Sequence, residues 1–384
     1  MSQAKVYAGG LGVSRIKEST YGAGSGAISH FIQTNGVGPT RDKDRYTSRG
    51  EARGVEETSE QIEIMDRTSV EIPDGQELTD IALLHHMIYG LGSDVKTTPS
   101  AATNARQHAL TLAGVNTPIN STWMQANTYD LSSAAAGDKY RNMLFKGCVA
   151  NRFNMRGSVD TGYLQYGSAW QADGATPATP VDISGLSIPK YGPYKMNNQF
   201  LYVGSAVSPG SLVLPTSGAT PTGGELTGAV NLSTKLLGFG YGYNNDLDVE
   251  GGHAGTLGLN ATEMERTERL QTLSLDLKYD PAVAFIDELS WNQIATALQT
   301  ASGVRSCSLA LYNWSNFALD TSGTIYTHAW TSLFPVCWLT KVTKTQRKGR
   351  WVISAEFEIG TNLTQQSIYF YTWNLEANQW AHTS

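Results

Sequence analysis

The chain has 384 residues, a length that allows two or three domains and a sizeable core. Only 16% of its residues are charged and the net charge is −6, while Gly (39), Tyr (18) and Trp (9) are plentiful. That composition reads as β-rich and globular, against disorder and against a general nucleic-acid binder, which should carry a basic excess.

Cys148, Cys307 and Cys337 sit outside any C-x-x-C pattern and read as reduced, buried thiols, with assembly in the cytoplasm. Met1-Ser2-Gln3-Ala4-Lys5 is no apolar signal segment, and no run approaches the ~18 apolar residues of a membrane helix. In chain order, Val6–Ile16 predicts a strand or an extended arm, and Ile28–Gln33 a strand. Thr34–Glu57 is a polar stretch dense in Arg, Asp, Lys and Gly, too long to be an ordinary loop, so it is read as a functional arm. Ile62, Ile64 and Met65 mark a strand and Pro73-Asp74-Gly75 a turn. Leu78, Ile81, Ala82, Leu84, His85 and Ile88 recur at helical spacing, which predicts a helix over Glu77–Leu91 ended by Gly90 and Gly92. Strands follow at His108–Leu112, Ile119–Thr128, Met143–Met155 and Gly157–Tyr166. Asp173–Pro193, rich in Pro, Gly, Ser and Thr, is read as a linker, with a hairpin around Phe200–Val213.

Lys235–Tyr243 predicts a strand and Asn244–Glu265 a second long arm. Leu273, Leu275, Leu277 and Tyr279 alternate with Thr272, Ser274, Asp276 and Lys278, the pattern of a half-buried strand. A second helix is expected over Ser290–Thr300, capped by Ser290 or Asp287. Strands follow at Val304–Leu311, Ile325–Trp330 and Pro335–Thr343. Trp351, Ile353, Ala355, Phe357 and Ile359 form a core face opposite Ser354, Glu356 and Glu358, and Ile368–Trp373 adds an edge strand.

The chain repeats itself. Glu77-Leu78-Thr79 returns 211 residues later as Glu288-Leu289-Ser290, and at the same offset Ile62 and Ile64 fall on Leu273 and Leu275. Leu144-Phe145-x-x-Cys148 returns at an offset of 189 as Leu333-Phe334-x-x-Cys337. One supersecondary unit used twice offers near-equivalent surfaces at its two ends, which suits a ring-forming building block better than an enzyme with one cleft.

Catalytic patterns are wanting. His85-His86 are adjacent on the expected helix, so their side chains point about 100° apart and do not share one ion. Asn244, Asp246, Asp248 and Glu250-Gly251 resemble half a calcium loop, without the closing Glu. Gly22-Ala23-Gly24-Ser25-Gly26 is a turn without the strand and helix of a dinucleotide site. Arg347-Lys348-Gly349-Arg350 is a basic cluster at a hairpin tip, read as a solvated turn, with contact to phosphate as the alternative. Neither a G-x-S-x-G motif nor a P-loop occurs. No enzyme activity, cofactor or metal is expected.

Several segments taken together resemble the tail tube (major tail) proteins of long, non-contractile-tailed bacteriophages. These are Lys17-Glu18-Ser19-Thr20-Tyr21-Gly22 leading into a strand, the charged arm, and the strand and helix of Gln61–Ile64 with Leu78–Leu91. Phe145-Lys146-Gly147-Cys148-Val149 running towards Gly157–Leu164, and Phe239–Leu247 ending in Asn244-Asn245-Asp246-Leu247, complete the set. The resemblance implies a mainly β chain of two tandem β-sandwich tail-tube units, each flanked by one α-helix: residues 1–173, a linker at 174–193, and residues 194–384. It implies a virion tail protein whose stacked rings conduct DNA. With two units per chain, a trimeric pseudo-hexamer is expected, a hexamer of chains being the runner-up. The implied partners are further copies of the chain, the tape measure, tail terminator and distal tail proteins, and double-stranded DNA in transit, with no membrane. A capsid decoration or minor tail protein is the alternative virion reading, and a secreted or surface binding module the non-viral one.

Two sets of residues carry the functional expectation. Glu63, Asp160, Ser274, Asp276, Glu356 and Glu358, each opposite an apolar strand face, are expected to line a polar to acidic channel along which DNA slides. Arg41, Lys43, Arg45, Arg49 and Arg53 of the first arm are expected to meet Asp246, Asp248 and Glu250 of the second across subunits.

Overall fold

The computed structural model describes residues 6–14, 18, 21–22, 28, 30–32, 34, 38–49, 58–79, 94–110, 112, 121–130, 143–177, 191–251, 261–266, 268–283, 285–286, 299–301, 304–347, 349–361 and 366–375. The protein is mainly β. In its first half run β1 (Val6–Val13), β2 (His30–Ile32), β3 (Gly38–Arg49), β4 (Thr58–Glu77), β5 (Asp94–Thr97), β6 (Arg106–Leu110), β7 (Thr122–Asp130), β8 (Met143–Ser158), β9 (Leu164–Ala172) and β10 (Gly174–Pro177). In its second half run β11 (Gln199–Gly204), β12 (Val230–Asn231), β13 (Leu236–Asn244), β14 (Leu247–Gly251), β15 (Ala261–Arg266), β16 (Leu270–Lys278), β17 (Gln299–Ala301), β18 (Val304–Ala318), β19 (Thr327–Arg347), β20 (Arg350–Gly360) and β21 (Tyr369–Asn374). All but β14 and β15 belong to one antiparallel hydrogen-bonded system. Among the described residues, helix is confined to 3-10 turns of three residues and to Phe285-Ile286.

The same strand order occurs in both halves. In the first, neighbours run β3-β4-β9-β8; in the second, β13-β16-β20-β19. Read in chain order, each is first, second, fourth, third. The long third strands, β8 and β19, do double duty. The N-terminal part of β8 pairs with β7 and β10 and its C-terminal part with β9; β19 pairs first with β18 and β21 and then with β20. Behind them, β1 pairs with β7 as β11 pairs with β18. The repeated sequence pairs fall on equivalent strands: Leu144-Phe145-x-x-Cys148 on β8 and Leu333-Phe334-x-x-Cys337 on β19. The two four-stranded arrays join edge to edge, because β8 also pairs with β13 from Arg152↔Asn244 to Ser158↔Gly238. The result is one eight-stranded sheet, β3-β4-β9-β8-β13-β16-β20-β19.

Period-2 alternation explains which face of this sheet is buried. Leu273, Leu275 and Leu277 on β16 are at most 1% exposed, whereas Thr272 and Ser274 are exposed. Phe153 and Met155 on β8, Phe239, Tyr241 and Tyr243 on β13, and Ile353, Ala355 and Phe357 on β20 join them in one core cluster with Trp170, Trp330 and Phe370. Fully burying each such side chain contributes about 1.5–3 kcal/mol. A second cluster around Tyr202, Tyr312, Trp314 and Trp373 supports the strands behind.

Several expectations change. Residues 38–49 of the polar stretch form β3. Its register on β4 sets Asp42 opposite Arg67, Lys43 opposite Asp66 and Arg45 opposite Glu63. Pro73-Asp74-Gly75 is a bulge inside β4, where the register on β9 shifts between Ile72 and Gln76. Glu77 is still strand, paired with Gln165, and Leu78 exchanges backbone hydrogen bonds with Leu164 and Tyr194, so no helix begins there; residues 80–91 of the expected helix lie outside the described residues. Of the second expected helix, Gln299-Thr300 belong to β17 and residues 290–298 lie outside the described residues.

The segment expected as one strand over Gly157–Tyr166 is the end of β8, a turn and the start of β9. Ser158 Oγ accepts the Asp160 N–H, Thr161 Oγ1 donates to the Ser158 carbonyl, and Gly162 has φ +76°. The expected linker includes β10, hydrogen-bonded to β8, and the buried Tyr191. No local hairpin forms over Phe200–Val213, because β11 pairs with β18 and β12. Ile325–Trp330 and Pro335–Thr343 merge, from Thr327, into β19. Pro335, which has no N–H to donate, is accommodated where the β18 register shifts between Cys307 and Leu309, with Ser308 Oγ donating to its carbonyl at 2.7 Å. Trp351, assigned to the core face, is 54% exposed at the start of β20.

Candidate functional site

The face of the eight-stranded sheet opposite the core is polar, and the ladder registers align it into rows. One row reads Gln165, Arg156, Gly240, Ser274, Glu356, Lys341 from β9 to β19. The row on one side reads Gly167, Asn154, Gly242, Thr272, Glu358, Trp338; the one on the other side reads Ser158, Gly238, Asp276, Ser354, Thr343. Its middle is a furrow, because β13 presents only glycine there. A Cβ on Gly240 would lie 2.7 Å from Ser274 Oγ, and one on Gly242 2.8 Å from Thr272 Oγ1, so neighbouring hydroxyls already occupy the space beside the bare backbone. Two hollows open along the furrow. One of about 890 Å³ is lined by Arg156, Asp160, Gly238, Asp276, Lys278, Arg347 and Arg350 among others. One of about 540 Å³ is lined by Asp74, Asn154, Thr272, Glu356 and Glu358 among others.

Of the channel candidates, Ser274, Asp276, Glu356 and Glu358 share this face. Asp276 accepts a short hydrogen bond from Ser354 Oγ, and Glu356 forms an ion pair with Lys341 at 3.2 Å. Asp160 is exposed on the β8–β9 turn instead of on a strand face, at the rim of the larger hollow. Glu63 is in β4, and its side chain lies outside the described residues. The face also carries cations. Arg152, Arg156, Lys278, Lys341, Arg347 and Arg350 stand on the same face, and Arg152 reaches Glu71 at 3.2 Å across Ala169, whose small side chain leaves the path open. The sequence places Lys278 on the outer side of its strand and marks Arg347 and Arg350 as a basic hairpin tip, but it gives no sign that Arg152, Arg156 and Lys341 share their face.

Of the arm candidates, Arg41, Lys43, Arg45 and Arg49 are in β3, and Arg53 lies outside the described residues. Asp246 precedes β14 and Asp248 and Glu250 lie in it, in a separate two-stranded hairpin with β15. Asp248 and Asp246 are exposed.

Two motifs behind the resemblance have clear structural work. Glu18 ties the opening segment to the β8 bend: its Oε1 accepts the Gly147 N–H at 3.0 Å, and its Oε2 accepts the Gly22 N–H at 3.0 Å and Ser121 Oγ at 2.6 Å. Gly147 has φ +60°, and a Cβ there would sit 2.8 Å from Asp173 Cβ and 3.0 Å from the Tyr21 ring. Burial, reinforced by the Glu18 charge and opposed by Lys146, raises the Asp173 carboxyl above its ordinary range. At the other motif, buried Asn245 donates from Nδ2 to the Ala150 carbonyl at 2.7 Å and accepts Tyr243 Oη at 2.9 Å, while Asp246 takes φ +44°. The corner thereby fixes the end of β13 on β8.

Among the described residues, no group of three or more His, Cys, Asp and Glu gathers as a metal site, and no helix is long and apolar enough to cross a membrane. His85-His86 lies outside them. No protein-family model matches the chain, and no curated protein matches it.

Proposed function

We propose that this chain is a structural subunit of a bacteriophage tail tube, built as two tandem β-sandwich units and assembled as rings stacked around a channel for DNA. The observation that carries the reading is the twice-used strand order, joined through β8 and β13 into one sheet with a core face and a polar face. Its outer strands support ring closure. Among the described residues, β3 and the part of β19 beyond Trp338 each have a strand partner on one side only. An even number of antiparallel strands sets β3 and β19 in opposite directions, so joining β19 of one copy to β3 of the next continues the antiparallel ladder around a closed barrel. Three chains supply the six units around a channel that the resemblance implies. The polar face, with cations and carboxylates interspersed, is then the inner wall, and the tape measure, tail terminator and distal tail proteins are the expected partners in a virion tail.

Deleting Asp42–Arg53 tests this reading. The deletion removes most of β3 and one ladder edge, while β4 keeps its pairing with β9. The account expects a folded subunit that fails to form rings or tubes; tubes of normal length from the deleted chain would refute it.

A further inference from the structure

We propose that the larger hollow, at the Ser158 end of the polar face, binds consecutive phosphodiester groups of duplex DNA. Arg156 on β8, Lys278 on β16, Arg350 on β20 and Arg347 on β19 converge on it, over a floor that includes Gly238 and Gly240. From β8 to β19 is four strand spacings, a span of about 19 Å at ~4.8 Å each. That exceeds what one small anion can bridge and suits a polymer with regularly spaced charges.

The charge pattern points the same way. Where this face carries Arg152 and Lys341, each has a carboxylate at 3.2 Å. Among the described residues, Lys278, Arg347 and Arg350 have no ion-pair partner within 4.0 Å, although Asp276 and Asp160 line the same hollow. Arg347 and Arg350 stand directly opposite each other across the hairpin turn, both exposed. Like charges in that position destabilise a hairpin, and an anion between them removes the repulsion. A net charge of −6 for the whole chain therefore conceals a basic end on this face.

The choice of duplex DNA over another polyanion rests on the tail-tube reading. The test is fluorescence anisotropy of a labelled 20-base-pair duplex with the full chain across a salt series. Arg347→Gln with Arg350→Gln should weaken binding about tenfold or more and reduce the slope of log K against log salt by about 2, near 0.9 for each phosphate no longer neutralised. Arg152→Gln with Lys341→Gln, the same change of net charge outside the hollow, should change affinity less than about threefold. No duplex binding by the wild type, equal weakening in both variants, or full displacement by inorganic phosphate at its own low concentration would overturn the proposal. Electron microscopy of the same preparations separates the two readings. Rings with unchanged duplex binding in the Arg347/Arg350 variant would remove the site and leave the tube; hollow-dependent binding without rings would leave the site and remove the tube.

Discussion

Asp320 is the buried carboxylate with the largest accountable role, and replacing it makes a quantitative prediction. It is 2% exposed. Its Oδ1 accepts the backbone N–H groups of Thr103, Asn104 and Ala105 at 2.8, 2.6 and 3.1 Å, and its Oδ2 that of Tyr326 at 3.4 Å. It thus pins the segment before β6 to the β18–β19 connection. Burial opposes the charge, but the four donors outweigh it and hold the carboxyl below its ordinary range. In Asp320→Ala the N–H groups of Thr103 and Asn104, on exposed residues, regain water, while that of Ala105, at 0% exposure, stays dry. Two N–H groups left unmet in the interior, those of Ala105 and Tyr326, and two exchanged for water come to about 4 kcal/mol. For a chain of 384 residues that is a fall in Tm of about 5 °C. Because the native value is depressed, the contribution is present above the unfolded carboxylate pKa of about 3.9 and is lost as pH falls through the native value. Thermal unfolding followed by circular dichroism should therefore show the same gap between wild type and variant at pH 7 and pH 5, and a smaller one at pH 3. A variant as stable as the wild type at pH 7, or a gap that widens in acid, would refute the reasoning.

Two further predictions concern packing and thiol chemistry. In Gly360→Val the new Cβ falls 2.1 Å from the Trp338 ring, so the variant should lose about 1–3 kcal/mol in a urea titration; unchanged stability would mean the ring moves freely. Cys148, Cys307 and Cys337 are at most 1% exposed, and burial raises the thiols of Cys148 and Cys337, so Ellman's reagent at pH 8 should find no reactive thiol in the native protein and three after denaturation.

The strand faces are legible in the sequence wherever alternation is local. Leu273 to Lys278 and Ile353 to Glu358 declare their inner and outer sides by period alone, and the repeat places equivalent segments in two halves. Neighbours across the sheet are not legible, because Gly240, Ser274 and Glu356 meet through strands far apart in the chain. For that reason the acids of one strand stand out without the cations of the next. Pro335 divides β19 in the sequence because a central proline ordinarily ends a strand, and only its place at a register shift lets it stay. Glu77 and Leu78 open a helical pattern in the residues that follow them, yet Gln165 and Leu164 of β9 hold them extended. Asp160 falls in a turn because the end of β8, its connection and the start of β9 read as one run in the sequence.

The central claim is that eight strands per chain close into a ring around a channel. Single-particle microscopy of the purified protein, combined with native mass measurement of the same sample, tests it most directly. The account predicts end-on views with an axial hole, pseudo-sixfold density and a mass of three chains per ring. Discrete monomers, particles without an axial hole, or rings of six chains would contradict it.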